Sequence, residues 1–265
     1  MRTRYRRAMA DEGVGPLLRE WRGRRRLSQL QLSSATGVST RHLSCVETGR
    51  STPSRELVLH LARALEVPAR SANDLLLAAG YAPSFSQHPL DAEAMAPVAA
   101  TLRSLLEGND PNPTAVIDTR WDLVDANAAA LWLCTGVADH LLEPPINIAR
   151  LSLHPEGLSA RITNTAEFSR HLIHQMERTL SLTHDPQLRA TIDELRPFIP
   201  SSGDPPEPTV VLPMRLQVEG HHLSFLSTIT TFGAARDITV QELSIETFYP
   251  TDQHTADIMR SCPWR

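Results

Sequence analysis

Hydrophobic positions in the first eighty or so residues recur at the three- and four-residue spacing of short amphipathic helices, and the polar residues between them supply starts and stops. Leu17, Leu18 and Trp21 form a stripe behind Pro16, which predicts a helix to about Arg26 with Arg19, Arg22, Arg24 and Arg25 facing outward. Over 27–50, LSQLQLSSATGVSTRHLSCVETGR, the signals are denser. Ser28 and Gln31 make a capping box, Leu32 and Ala35 a narrow apolar face, and Gly37 a tight turn needing positive φ. Val38 drops between the helices and Ser39 starts the second. There, Leu43 and Val46 point back at Leu32 and Val38, which leaves Thr40, Arg41, Ser44 and Cys45 on the opposite face. The pattern is a helix-turn-helix. Leu57, Leu61 and Leu65 predict a fourth helix after Pro53, and a capping box of Ser71 with Asp74 predicts a fifth, with Leu75, Leu76 and Ala79 inward and Gly80 as its stop.

Beyond residue 83 the pattern changes. A polar, proline-containing linker at 84–95 precedes Val98, Leu102, Leu105 and Leu106, a short amphipathic helix that joins the domains or a partner subunit. Two short strands follow at 116–118 and 121–124, then a helix opened by Asn127 and running through Leu133. Ile162, Ala166, Ile173, Met176 and Leu180 keep helical spacing in a long stretch at 158–182, and a shorter helix ends before Pro197. Prolines and serines at 197–208 predict a mobile loop. Three strand candidates, near 209–218, 222–232 and 238–249, complete one mixed sheet with helices across one face.

Charge divides the chain in the same place. Residues 1–83 hold 14 Arg against 7 acids, a balance of +7, whereas residues 84–265 hold 12 Arg against 23 acids, a balance of −11. Only the front third suits a polyanion. All 26 basic residues are arginine, so their type carries no binding information of its own. Cys45, Cys134 and Cys262 are odd in number and widely spaced, which speaks against a disulfide framework or zinc module. With no apolar run long enough for a signal peptide or membrane span, the expected location is cytoplasmic. Residues 1–13 read as a disordered basic arm.

The stretch 27–50 resembles the repressor-like, xenobiotic-response-element class of helix-turn-helix proteins, departing at Ser33, where that class usually has alanine. The following RSANDLLLAAGYAP (70–83) is similar to bacterial regulators with an MmyB-like ligand-binding domain. The similarity continues through VIDTRWDLVDAN (116–127), PPINIARLSLHPEGL (144–158), LSFLSTITTFG (223–233) and ELSIETFYPTD (242–252). It implies an all-α, five-helix repressor-like DNA-binding domain at 14–83, a linker and connector helix at 84–110, and an α+β, PAS-like ligand-binding domain at 111–265. The resemblance suggests a fatty-acid-like cargo.

These readings nominate residues. Gln29 at a helix start and Arg50 after the second helix are expected to position phosphates. Base reading falls to Thr40, Arg41, Ser44 and Cys45, with Arg41 foremost because its guanidinium can donate two bonds to guanine. Ser39 joins this set as the helix start. His42 reaches a phosphate or is a half-buried helix residue. Glu47 is expected to pair with Arg22 or Arg26. Two copies on half-sites about 34 to 36 Å apart would give useful specificity, hence a homodimer on a double-stranded, roughly palindromic operator. In the second domain Trp121, Trp132, Phe225 and Phe248, with Asn127, would line an apolar pocket for a small-molecule ligand, although core packing explains the same residues. Arg150 or His154 would hold a ligand carboxylate, against an ion pair with Asp118 or Asp125. His171 and His174, near Glu167 and Glu177, and the adjacent His221 and His222, read as solvated faces, so neither a metal nor a cofactor is expected. No nucleophile elbow or phosphate loop points to an enzyme.

Overall fold

Capping residues and buried stripes place five short helices in the front third of the chain. In the computed structural model, which describes residues 13–200, 210–261 and 264, α1 (Val14–Arg24) buries Val14, Leu17, Leu18 and Trp21. The guanidinium of Arg24 lies 4.6 Å over the Trp21 ring. The capping box of α2 (Gln29–Thr36) forms in full: Gln31 N donates to Ser28 Oγ at 3.1 Å and Ser28 N to Gln31 Oε1 at 2.7 Å. Gly37 ends that helix at φ 71, a left-handed conformation that costs glycine nothing. Ser39 caps α3 (Thr40–Glu47), accepting from His42 N at 3.2 Å, and Ser54 caps α4 (Arg55–Ala64). The last helix, α5 (Ala69–Ala78), departs from expectation: it starts behind Pro68, so Ser71 and Asp74 sit inside the helix and make no N-terminal box. Pro68, its φ already fixed, sets the start instead.

One core joins the five helices, with Leu18, Trp21, Leu32, Leu43, Val46, Val58, Leu61, Leu65, Leu75 and Leu76 all buried. Each fully buried leucine among them contributes about 1.5 to 3 kcal/mol. Ala35, expected inside, is exposed, and Leu32 alone anchors α2. At Gly15 the contact is backbone to backbone: a Cβ there would lie 2.5 Å from the Val46 carbonyl oxygen and 2.8 Å from that of Glu47. The first compact unit reaches to Gln87 and includes Arg236–Ile238; His88–Ala235 and the residues from Thr239 onward make the second.

The second unit is built on a five-stranded sheet in the order β2-β1-β5-β4-β3. Its strands are β1 (Thr114–Ile117), β2 (Leu123–Ala126), β3 (Met214–Val218), β4 (His221–Thr231) and β5 (Ser244–Pro250). Every pairing among them is antiparallel, not mixed. A single helical turn, Ile238–Gln241, occupies the start of the segment expected to be strand, so β5 is shorter than its β-branched run suggests. Helices cover both faces rather than one. The helix expected as a connector, α6 (Ala96–Gly108), packs Leu102 and Leu106 against Val116, Leu243 and Ile245, and so belongs to the core of this unit. Side chains alternate across a strand, so Ile117, Phe225 and Phe248 lie on the other face. There α7 (Ala128–Leu133), α8 (Ile148–Leu153) and α11 (Gln253–Ser261) contribute Trp132, Leu133, Leu151 and Met259 to one cluster.

The long helix, α9 (Thr165–Thr183), begins later than its periodicity suggests. Residues Leu158–Ala160 form a 3-10 turn, and Ile162 bridges to Leu216 at the sheet edge. α9 and α10 (Pro186–Leu195) bury Leu172, Ile173, Met176, Leu188 and Ile192 with Ile117 and Trp121. Residues 1–12 of the arm expected at 1–13, residues 201–208 of the loop expected at 197–208, and Cys262 lie outside the described residues.

Candidate DNA-reading helix and sensor site

The second helix of the turn motif is held on its inner side and open on its outer. Leu43 and Val46 are 1% exposed, while Ser39, Thr40, Arg41, His42 and Arg50 are exposed and Ser44 and Cys45 half-buried. The nominated reading residues therefore share an accessible side of α3 and its flanks. His42 lies exposed, which removes the half-buried reading. Cys45 is a free thiol.

Three residues clamp the two motif helices together. Glu47, 7% exposed, accepts from Arg22 Nε at 2.7 Å and Arg22 Nη2 at 2.8 Å, a two-pronged ion pair joining α3 to α1. Of the two partners expected, Arg22 is the one used. Gln29 Nε2 donates to Glu47 Oε2 at 2.9 Å. That side chain, nominated for phosphate, is thus engaged within the domain. Burial opposes ionisation of Glu47, but hydrogen bonds from Arg22 and Gln29 and the nearby charges of Arg22 and Arg19 outweigh it, so its carboxyl sits below the ordinary glutamate value. The same hydrogen bond to Glu47 raises Arg22, against burial. Arg22 Nη1 also donates to Leu27 O at 2.8 Å, fixing the approach to α2.

In the second unit the nominated residues do not gather into one cavity. Trp132, Phe225 and Phe248 share a cluster, with Phe225 and Phe248 edge to face at 6.5 Å. Trp132 Nε1 donates to Glu219 Oε2 at 3.1 Å. Trp121 packs separately beneath α9 and α10. Its position follows from the turn between β1 and β2, where Asp118 Oδ1 accepts from Arg120 N and Asp122 N and Trp121 itself takes φ 69.

Asn127 is consumed by structure. Its Oδ1 accepts from Thr114 N and Ala130 N, each at 3.0 Å, and its Nδ2 donates to Asn112 O at 2.9 Å. No group is left to face a ligand. Arg150 is likewise committed, through a bidentate pair with Glu194 at 2.8 and 2.7 Å rather than with Asp118 or Asp125. His154 Nδ1 accepts from Glu156 N at 3.1 Å, with the ring edge-on to Phe198 at 5.1 Å. His171 and His174 are exposed on α9, and His171 Nε2 meets Gln175 Nε2 at 2.7 Å. A concavity of about 230 Å³ lies beside β3 and β4, lined by Arg215, His222 and Asp252 as well as Leu216 and Leu223.

One buried residue of this unit escaped the sequence reading. Glu246, 8% exposed, stands on β5 opposite Ile229, on the same sheet face as Phe248, Ser227 and Phe225. Burial pushes its carboxyl up to about 7, against a hydrogen bond with Ser227. The only signal was an acid inside an otherwise apolar and β-branched run, SIETFYP.

No described helix is long and apolar enough to cross a membrane. No curated protein matches the chain. Residues 14–75 match a helix-turn-helix domain family, and residues 98–261 match the MmyB-like transcription regulator ligand binding domain. A DNA-binding unit joined to a ligand-binding unit makes a ligand-responsive transcription regulator. With the second match covering more than half of its length, the chain belongs to the MmyB-like transcription regulators.

Proposed function

We propose that the protein binds a roughly palindromic operator as a homodimer in the cytoplasm, reads bases through α3, and changes its DNA affinity when a small, largely apolar ligand occupies a PAS-like sensor domain. The observation that carries the reading is the exposed Arg41 on a helix whose other side is locked into the core. Arg41 donates to a guanine edge, Thr40 and Ser44 read its neighbours with Cys45 beside them, and the Ser39 helix start, His42 and Arg50 position phosphates. Gln29 contributes there through its backbone N–H at the start of α2.

The PAS-like reading is supported by the antiparallel strand order 2-1-5-4-3, with α7, α8 and α11 packed on the face that carries Phe225 and Phe248. On that face the row of Phe225 and Phe248 continues to Ile229, which is 51% exposed. The apolar surface thus extends past its helical cover, and a fatty-acid-like chain fits against it. Glu246, protonated over part of the neutral range, can donate a hydrogen bond to the ligand's carboxylate. Regulation follows when the occupied and empty sensor favour different spacing of two reading heads.

Selection of duplex fragments bound by the full chain, with and without added long-chain fatty acids, tests the scheme. Arg41→Ala should lose about 1 to 3 kcal/mol of discrimination at one base position, whereas Arg50→Ala should weaken all sequences alike and flatten the salt dependence. An Arg41→Ala variant with unaltered operator preference refutes the reading head. Selected fragments that are indifferent to fatty acid refute the ligand class.

A further inference from the structure

We propose that His140, His154 and Glu156 form a binding site for a divalent transition metal, with Zn²⁺ the best fit. Each residue offers one ligand atom, and the three atoms lie within 4.8 Å of one another. His140 Nε2 stands 3.9 Å from Glu156 Oε2, and His154 Nδ1 stands 4.0 Å from the same oxygen. The two imidazole rings meet edge-on at 5.6 Å.

The backbone that carries them is fixed by several independent contacts. His140 rides on a 3-10 turn, Asp139–Leu141, and His154 is the C-cap of α8. Ala138 N donates to Glu156 O at 3.1 Å, tying the turn to the segment after α8, and Gly157 N donates to His154 O at 2.9 Å. That second segment is tightly folded, since a Cβ on Gly157 would lie 2.2 Å from Leu151 O. The Phe198 edge backs the His154 ring.

Two neutral imidazoles and one carboxylate suit a borderline ion such as Zn²⁺ and not Ca²⁺ or Mg²⁺, which take oxygen ligands. Three protein ligands leave a fourth tetrahedral position for water. The side chains of His140 and Glu156 are 54% and 66% exposed, so both are free to close by the last ångström onto an ion. Where His154 ligates through Nδ1, the ion replaces the hydrogen bond from Glu156 N. Occupancy would cross-link the turn to the end of α8.

Untagged full-length protein, stripped with chelator and titrated with zinc chloride in a non-coordinating buffer, should bind one Zn²⁺ at this site by calorimetry. His140→Ala and Glu156→Gln should each weaken that binding by about tenfold or more, and His171→Ala with His174→Ala should leave it unchanged. Melting curves in chelator should coincide for wild type and His140→Ala, which separates loss of a ligand from loss of fold. No saturable uptake by the wild type overturns the site. So does undiminished uptake by the His140→Ala/Glu156→Gln double variant.

Discussion

Glu47 in the helical unit and Glu246 in the sheet unit are almost equally shielded from solvent, 7% and 8% exposed, yet they hold their protons in opposite ways. Burial raises both. At Glu47 the Arg22 guanidinium and Gln29 amide overcome it and leave the carboxylate charged. At Glu246 a Ser227 hydroxyl does not, and the carboxyl rises to about 7. Depth alone therefore decides little; what faces the carboxyl decides whether it is a permanent anion in a clamp or a proton carrier near neutrality. The helical unit uses its buried charge to tie two helices together, and the sheet unit keeps a titratable group on the face that carries Phe225 and Phe248.

Removing the clamp should have the largest effect. Glu47→Ala leaves Arg22 without its partner and should destabilise the helical unit by about 4 kcal/mol, seen as a lower-temperature transition in calorimetry and as lost operator binding. An unchanged transition would mean that Arg22 finds another partner at no cost, and the contrast between the two glutamates would fail.

The next largest effect is in pH. Glu47, depressed in the fold, contributes stability that is present above its unfolded value of 4.5 and is lost as pH falls through its lower folded value. Glu246 runs the other way. Its folded value is raised from 4.5 to about 7, so the sheet unit weakens as pH climbs across that interval and stays weakened above it. Glu246→Gln should remove this slope and stabilise the sheet unit at pH about 8 by up to about 3 kcal/mol, read from thermal melts across pH. A slope surviving in the variant would assign the proton to another group.

A smaller effect sharpens the local side of the comparison. Ser28→Ala removes one half of the capping box on α2 and should cost about 1 kcal/mol, measured as a shift in the denaturant midpoint of the helical unit, with the Glu47 clamp intact. A loss as large as that of Glu47→Ala would make the cap, not the ion pair, the main tie of the motif.

The helical unit was legible because its signals are local. Ser28 with Gln31, Gly37 and Ser39 act within four residues of themselves, and each appears where the spacing placed it. Even there a competing local rule prevailed once, when Pro68 started α5 ahead of Ser71. The sheet unit was legible as strands and helices but not as pairings. Arg150 meets Glu194 forty-four residues away, and Asn127 ties Thr114 to Asn112, contacts that no periodicity encodes. The aromatic residues expected around one pocket were read by type, and the left-handed turn at Trp121 sends that ring to a different cluster. Glu246 was passed over because an isolated acid in a strand reads as outward-facing until its register with Ile229 is known.

Because α1 touches the carbonyl oxygens of Val46 and Glu47 through a residue with no side chain at all, the seating of α3 on α1 is set by a missing methyl. Adding one carbon at Gly15 wedges the two rods apart from behind. A buried residue on the inner side of the motif would then govern how far the exposed side of α3 stands out.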